Sequence, residues 1–120
     1  MASLDSQNIE TPHETRPFQA NGRMDVVTLG EFTLGKGTFE PGWRWSADVK
    51  PIAGTDSCQV EHIGYVLEGR MALRMDDGTE QEFGPGDAFH MPPGHDAWIV
   101  GDQRRVLLDF GGLKGYAQSS

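Results

Sequence analysis

The sequence predicts an all-β sandwich or barrel, and three observations carry that prediction. From residue 25 onward, β-branched and aromatic runs recur, each a few residues long and bounded by turn residues. Sixteen glycines and seven prolines in 120 residues supply those turns and break helices. No stretch carries a convincing amphipathic helical period. A chain of this length is expected to form one domain, burying roughly two thirds of its unfolded surface in one core.

Residues 1–24 mix polar residues, acids and two prolines without apolar periodicity. They read as an N-terminal arm with at most one short strand, and His13 as a solvated residue within it. The barrel is expected over residues 25–110. Its first strands are 25–29 (DVVTL), 32–34, 36–39 and 43–46 (WRWS), punctuated by Gly30, Gly35, Gly37 and Pro41-Gly42. On the last of these, Trp43 and Trp45 alternate around Arg44, so one strand face is aromatic. Such a face suits a small organic ligand, a dimer interface or plain core.

Residues 55–69, TDSCQVEHIGYVLEG, read as a strand with Cys58 and His62 on one face and Asp56 in the same parity. On a straight strand the α-carbons of Cys58 and His62 lie about 13 Å apart, too far for direct contact without a bulge, for which Gly64 is the candidate. Residues 70–83, RMALRMDDGTEQEF, form the clearest hairpin. A two-residue loop would mix apolar and acidic side chains on one face. A three-residue loop, Asp76-Asp77-Gly78, pairs Met71 with Phe83, Leu73 with Gln81 and Arg74 with Glu80, with Gly78 at the left-handed bulge position. A turn at 84–87 leads to a strand over 88–91. Pro92-Pro93-Gly94 turns into a strand over 97–100, and 106–110 (VLLDF) closes the apolar pattern. Residues 111–120 form a tail expected to fray.

The balance of 10 basic against 18 acidic residues, a net charge of -8, disfavours nucleic acid or an anionic membrane surface as partner. No apolar run approaches the ~20 residues of a membrane-spanning helix. A single cysteine excludes an internal disulfide, and the N-terminal residues lack the basic-then-apolar order of a signal peptide, so a cytoplasmic location is expected. Nucleotide-binding glycine loops and serine nucleophile elbows are missing from the sequence.

YVLEGRMALRMDDG followed by GPGDAFHMPPG resembles the cupin superfamily, which implies a double-stranded β-helix, or jelly-roll barrel. The resemblance covers roughly residues 38–110 and is most specific at Gly69 and in the run from Gly86 to Gly94. Members of that family place three histidines and a glutamate around one metal inside the barrel. Aligned on the family's motifs, the two histidine positions fall on Asp56 and Cys58, the glutamate position on His62 and the last histidine position on Ala97. Asp56, Cys58 and His62 are all capable ligands, and His95, two residues before Ala97, can supply the missing imidazole. With FEPGWRW before the first motif and PPGHDAW in the second, the chain looks like a bacterial cupin subgroup of unassigned role.

The expected metal site is therefore Cys58, His62 and His95 with Asp56 as a fourth, a donor set that favours zinc over iron or manganese. The competing readings are a buried apolar Cys58, a core histidine at His62 and a loop histidine at His95. Trp43, Trp45, His95 and Trp98 are the candidate ligand-binding residues. Asp96 is read as orienting His95 or stabilising the turn, His90 as structural, and Arg44 and Arg74 as carboxylate holders or surface ion pairs. A direct thiolate nucleophile at Cys58 activated by His62 is open to the same distance objection as the metal. The expected function is small-molecule binding in sensing or metabolite handling. The alternatives are a metal-dependent isomerase, lyase or dioxygenase and a non-catalytic dimerisation barrel. A homodimer is expected, paired through edge strands, to which the arm could contribute.

Overall fold

The computed structural model describes residues 4–111. Nine strands alternate inward and outward side chains to form two antiparallel sheets facing across one core, the jelly roll expected from the sequence. They are β1 (Glu14–Pro17), β2 (Gly22–Leu29), β3 (Phe32–Phe39), β4 (His62–Glu68), β5 (Arg70–Met75), β6 (Glu80–Phe83), β7 (Ala88–Met91), β8 (His95–Val100) and β9 (Arg105–Gly111). The larger sheet has the order β1-β2-β3-β9-β4-β7 and the smaller β6-β5-β8. Apart from Gly111, the tail at 111–120 lies outside the described residues.

Strand parity decides which residues meet inside. On β4, His62, Gly64 and Val66 point inward while Ile63, Tyr65 and Leu67 stay outside. On β8, His95, Ala97 and Ile99 are buried. On β9, Leu107 and Asp109 are buried while Phe110 is exposed. The sheets close over Val26, Phe39, Val66, Met71, Phe89 and Leu107, with Phe18, Phe39 and Trp43 in mutual ring contact.

The arm packs on its own chain. β1 pairs antiparallel with β2, and the Thr28 N–H donates to His13 Nδ1 at 3.0 Å, so His13 has a backbone partner although it is exposed. β3 runs unbroken through Gly35 and Gly37, where the sequence reading had two shorter strands. The hairpin adopts the three-residue loop, with Met71 opposite Phe83, Leu73 opposite Gln81 and Arg74 opposite Glu80. Met75 N–H bonds the carbonyl of Thr79, and Gly78 takes φ of +92°. Gln81 is exposed, so Met71, Leu73 and Phe83 alone carry the buried face.

WRWS is not a strand. Arg44 is extended and bridges to Trp98, and two single-turn helices follow, α1 (Trp45–Asp48) and α2 (Lys50–Ala53). The Asp48 carboxylate accepts the Arg44 backbone N–H at 3.0 Å, which starts the first turn. Pro51 is compatible with the first turn of α2, and Gly54 ends it in the left-handed conformation at φ of +74°. Both tryptophans are nonetheless buried, because a helical turn and an extended residue deliver them to the same core.

Gly69, between β4 and β5, sits at φ of +76°, and a β-carbon there would fall on the carbonyl of Arg104. Gly69→Ala is expected to lower stability by about 1–3 kcal/mol, read as a lower urea midpoint at unchanged slope. An unchanged midpoint would count against this account of the turn.

Candidate metal centre

Cys58 does not lie on β4. It belongs to the loop before it, where the chain bridges to the start of β8. Cys58 N–H donates to the His95 carbonyl at 2.7 Å, and the Gly94 and His95 N–H groups donate to the Cys58 carbonyl at 2.7 and 3.2 Å. These bonds set the short cysteine side chain beside the His95 imidazole. The residues between Cys58 and His62 belong to no strand, and Cys58 Sγ lies 3.8 Å from His62 Nε2, which removes the distance objection raised by a straight strand. The ladder between β4 and β9 does shift register at Gly64, but the closing of the gap occurs before His62.

The ligand atoms of Cys58, His62 and His95 all lie within 4.8 Å of one another, and all three side chains are buried. Each imidazole is oriented from behind. His62 Nδ1 donates to Asp109 Oδ2 at 2.7 Å, and His95 Nδ1 donates to the Pro92 carbonyl at 2.7 Å. Both acceptors can only accept, so each ring carries its proton on Nδ1 and turns Nε2 toward the thiol. Bonds of ~2.0 Å to nitrogen and ~2.3 Å to sulfur would place tetrahedral ligand atoms about 3.3–3.6 Å apart, so the cluster would hold one ion once its widest pair draws in by about 1 Å. Cys58, His62 and His95 would supply three donors to such an ion, leaving a fourth position for another ligand.

Asp109 was not among the residues singled out from the sequence. It is 1% exposed, and its second oxygen accepts the Gly111 N–H at 3.1 Å. The available signal was an acid at an inward parity of the apolar strand VLLDF.

The electrostatics follow from this geometry. Burial pushes the Cys58 thiol up, but hydrogen bonds to His62 and His95 and the charge on His62 outweigh it and bring the pKa down to about 6. Burial pulls His62 down, but the bond to Asp109, the bond to Cys58 and both negative charges raise it to about 9. Without a metal, a thiolate and an imidazolium face each other at neutral pH.

Other expected site residues are placed elsewhere. Asp56 is 107% exposed and pairs with Lys50 at 3.8 Å, so it supplies no fourth ligand; the chain is not a strand there, and parity with Cys58 has no meaning. Trp98 points outward from β8, with the Arg44 guanidinium 4.7 Å above its ring, and does not reach the interior. Asp96 accepts the Ser46 and Ala97 N–H groups and pairs with Arg44 at 3.6 Å, so it ties α1 to β8, and Pro92 rather than Asp96 orients His95. His90 is exposed and bonds Glu61 at 2.8 Å.

Trp43 and Trp45 do line the interior. With Met24, Phe39, Met71, Phe89, Met91, Ala97 and Leu107 they wall a cavity whose floor is His62, His95 and Asp109. About 30 Å³ of it is open to the centre of a water molecule, room for an ion and a very small ligand.

In metal-free protein the ultraviolet absorbance of the Cys58 thiolate is expected to titrate with a midpoint of about 6. Asp109→Asn removes the largest influence raising His62, so less imidazolium faces the thiolate and the midpoint moves up toward the ordinary thiol range. A midpoint unmoved by that substitution would show that Asp109 does not act through His62.

The sequence profile of the family described as "Cupin domain" matches residues 53–110. No curated protein sequence matches the chain. Solved structures share its fold. A sugar phosphate isomerase of the cupin superfamily from Silicibacter pomeroyi is 19% identical, covering 90% of this chain and 75% of its own, with a TM-score of 0.63. The polyketide cyclase RemF from Streptomyces resistomycificus is 22% identical over 91% of this chain and 79% of its own, with a TM-score of 0.64. An RmlC-like cupin from Shewanella frigidimarina is 19% identical over 93% and 94%, with a TM-score of 0.61. The matched profile and these shared folds agree: residues 53–110 match the cupin domain family, and the chain has the cupin jelly-roll fold.

Proposed function

We propose that this chain is a small-molecule-binding cupin in which Cys58, His62 and His95 hold one divalent metal, zinc by preference, for sensing or metabolite handling. The observation that carries the reading is the convergence of one sulfur and two Nε2 atoms, with Asp109 and Pro92 holding the proton of each ring on the far nitrogen. Sulfur with two imidazoles suits zinc better than iron or manganese. When bound, the metal supplies Lewis acidity toward an oxygen at the open fourth position. The chain's own residues do the rest: Asp109 and Pro92 orient the imidazoles, and the aromatic and methionine walls limit the entry of water. A single buried thiol suits a reducing compartment such as the cytoplasm.

The open position also favours a second reading, a metal-dependent isomerase, lyase or dioxygenase acting on a small polar substrate. It differs from the first in requiring turnover as well as binding.

The homodimer belongs to the proposal as well. β1 pairs with β2 and is itself the edge strand of the larger sheet, so a second copy is offered that edge and, beside it, the outer face of the same sheet. There Ile63, Tyr65 and Leu67 of β4 and Phe110 of β9 are 39–55% exposed. The double substitution Tyr65→Lys, Leu67→Glu is expected to give a monomer by light scattering while leaving metal content unchanged. A dimer that survives it would remove this face from the interface.

Elemental analysis of protein purified without chelator is expected to find about one metal per chain. His62→Ala and Cys58→Ser should lose it, and Asp109→Asn should weaken it about 10–100-fold. A wild type that takes up no zinc even when it is supplied would end the metal reading. The pH dependence has a definite sign. Between pH of about 6 and about 9 the cation displaces one proton, from His62, so affinity rises about tenfold per pH unit; below about 6 Cys58 must lose a proton too and the dependence steepens. Competition titrations with a chromogenic chelator across that window measure the slope.

A further inference from the structure

Trp43 and Trp45 each bury an indole N–H that has no hydrogen-bond partner among the described residues. Both side chains are 2% exposed, and both line the cavity that contains His62 and His95. A buried donor left without an acceptor is costly, and two such donors on side chains that line one small cavity are not a feature that packing alone would favour. From these two donors we infer that the cavity is a binding site for a compact molecule presenting acceptor oxygens, a carboxylate or carbonyl compound of about acetate size.

The rest of the wall narrows the class. No lysine or arginine lines the cavity, so apart from the imidazoles of its lining the indoles are the donors offered to an acceptor, and they are neutral ones. Phe39, Phe89, Leu107 and Ala97 present apolar surface, which suits a ligand with a hydrocarbon end opposite its oxygens. The open volume admits only a few heavy atoms, and Met24, Met71 and Met91 are the flexible side chains that can yield to seat them. Trp98 carries the remaining indole and lies outside, beneath Arg44, where it serves as an internal reference. The inference deepens the small-molecule reading of the same cavity and rests on it, but its two donors are not metal ligands.

The test is a titration of zinc-loaded protein, metal content being measured in parallel, followed through the indole Nε1–H signals in nitrogen–proton correlation spectra. Acetate and acetamide are the probes, and ethylammonium, of similar size but with no acceptor, is the control at matched chloride. The Trp43 and Trp45 signals, assigned by single substitution to Phe, are expected to move downfield saturably with one or both probes, while the Trp98 signal and the ethylammonium titration stay flat. Response to acetate alone assigns the carboxylate, and response to both assigns the carbonyl oxygen generally. Trp43→Phe and Trp45→Phe should each weaken the probe about 2- to 10-fold, as loss of one neutral hydrogen bond does. Repeating the titration on the Cys58→Ala, His62→Ala double variant separates the two readings. Indoles that respond without zinc uptake keep this inference when the metal reading fails. Stoichiometric zinc with buried indoles that stay silent, or that move no more than Trp98, overturns this inference and leaves the metal reading standing.

Discussion

The hydrogen bond between His62 and Asp109 is the interaction on which the interior depends. A carboxylate at 1% exposure on an apolar strand is costly unless it is paired, and the 2.7 Å bond to His62 Nδ1 together with the Gly111 N–H provides that pairing. The same bond joins neighbouring strands β4 and β9, sets the tautomer of His62 and points Nε2 at Cys58. Breaking it would leave a buried charge without its partner, an effect on the order of 3–5 kcal/mol. Stability of the sheet and chemistry of the site are thus tied to one contact, with His62 as the shared member.

The site also shows how a cupin barrel that has exchanged all four of the usual ligand types still gathers donors. Cysteine is short, so it reaches the other ligands only if its backbone comes close, and the bridge between Cys58 and His95 brings it there. His95 sits two residues before Ala97 on the same inward face of β8, so an imidazole enters from one step along the strand while the small Ala97 leaves room in the cavity. The donors are moved and the interior they share is retained.

Much of the fold was legible because it depends on local rules. Period-two alternation, the turn chemistry of Asp76-Asp77-Gly78 and the spacing from Gly86 to Gly94 are properties of short segments, and the hairpin register followed from keeping Met71 and Phe83 on one face. Two of the errors, at Asp56 and at WRWS, share one cause, which is parity extended beyond the strand that supports it. Asp56 was aligned with Cys58 and His62 on a strand that begins only at His62, and it lies in solvent beside Lys50. Trp98 was grouped with the ligand residues although it is one step out of phase with Ala97. WRWS alternates in sequence, yet the Asp48 carboxylate accepts the Arg44 N–H across a helical turn there, a local bond that competes with extension.

By itself the sequence determined the fold class, the resemblance to cupins and three side chains capable of forming a site, because hydrophobic period, turn residues and motif spacing act over a few positions. Only the tertiary structure decided which donors meet. The loop carrying Cys58, the turn before β8 and the strand carrying Asp109 are distant in sequence, and backbone bonds between them set the geometry of the site. The unpartnered indoles of Trp43 and Trp45 belong to the same level, since whether a donor is satisfied depends on everything packed around it.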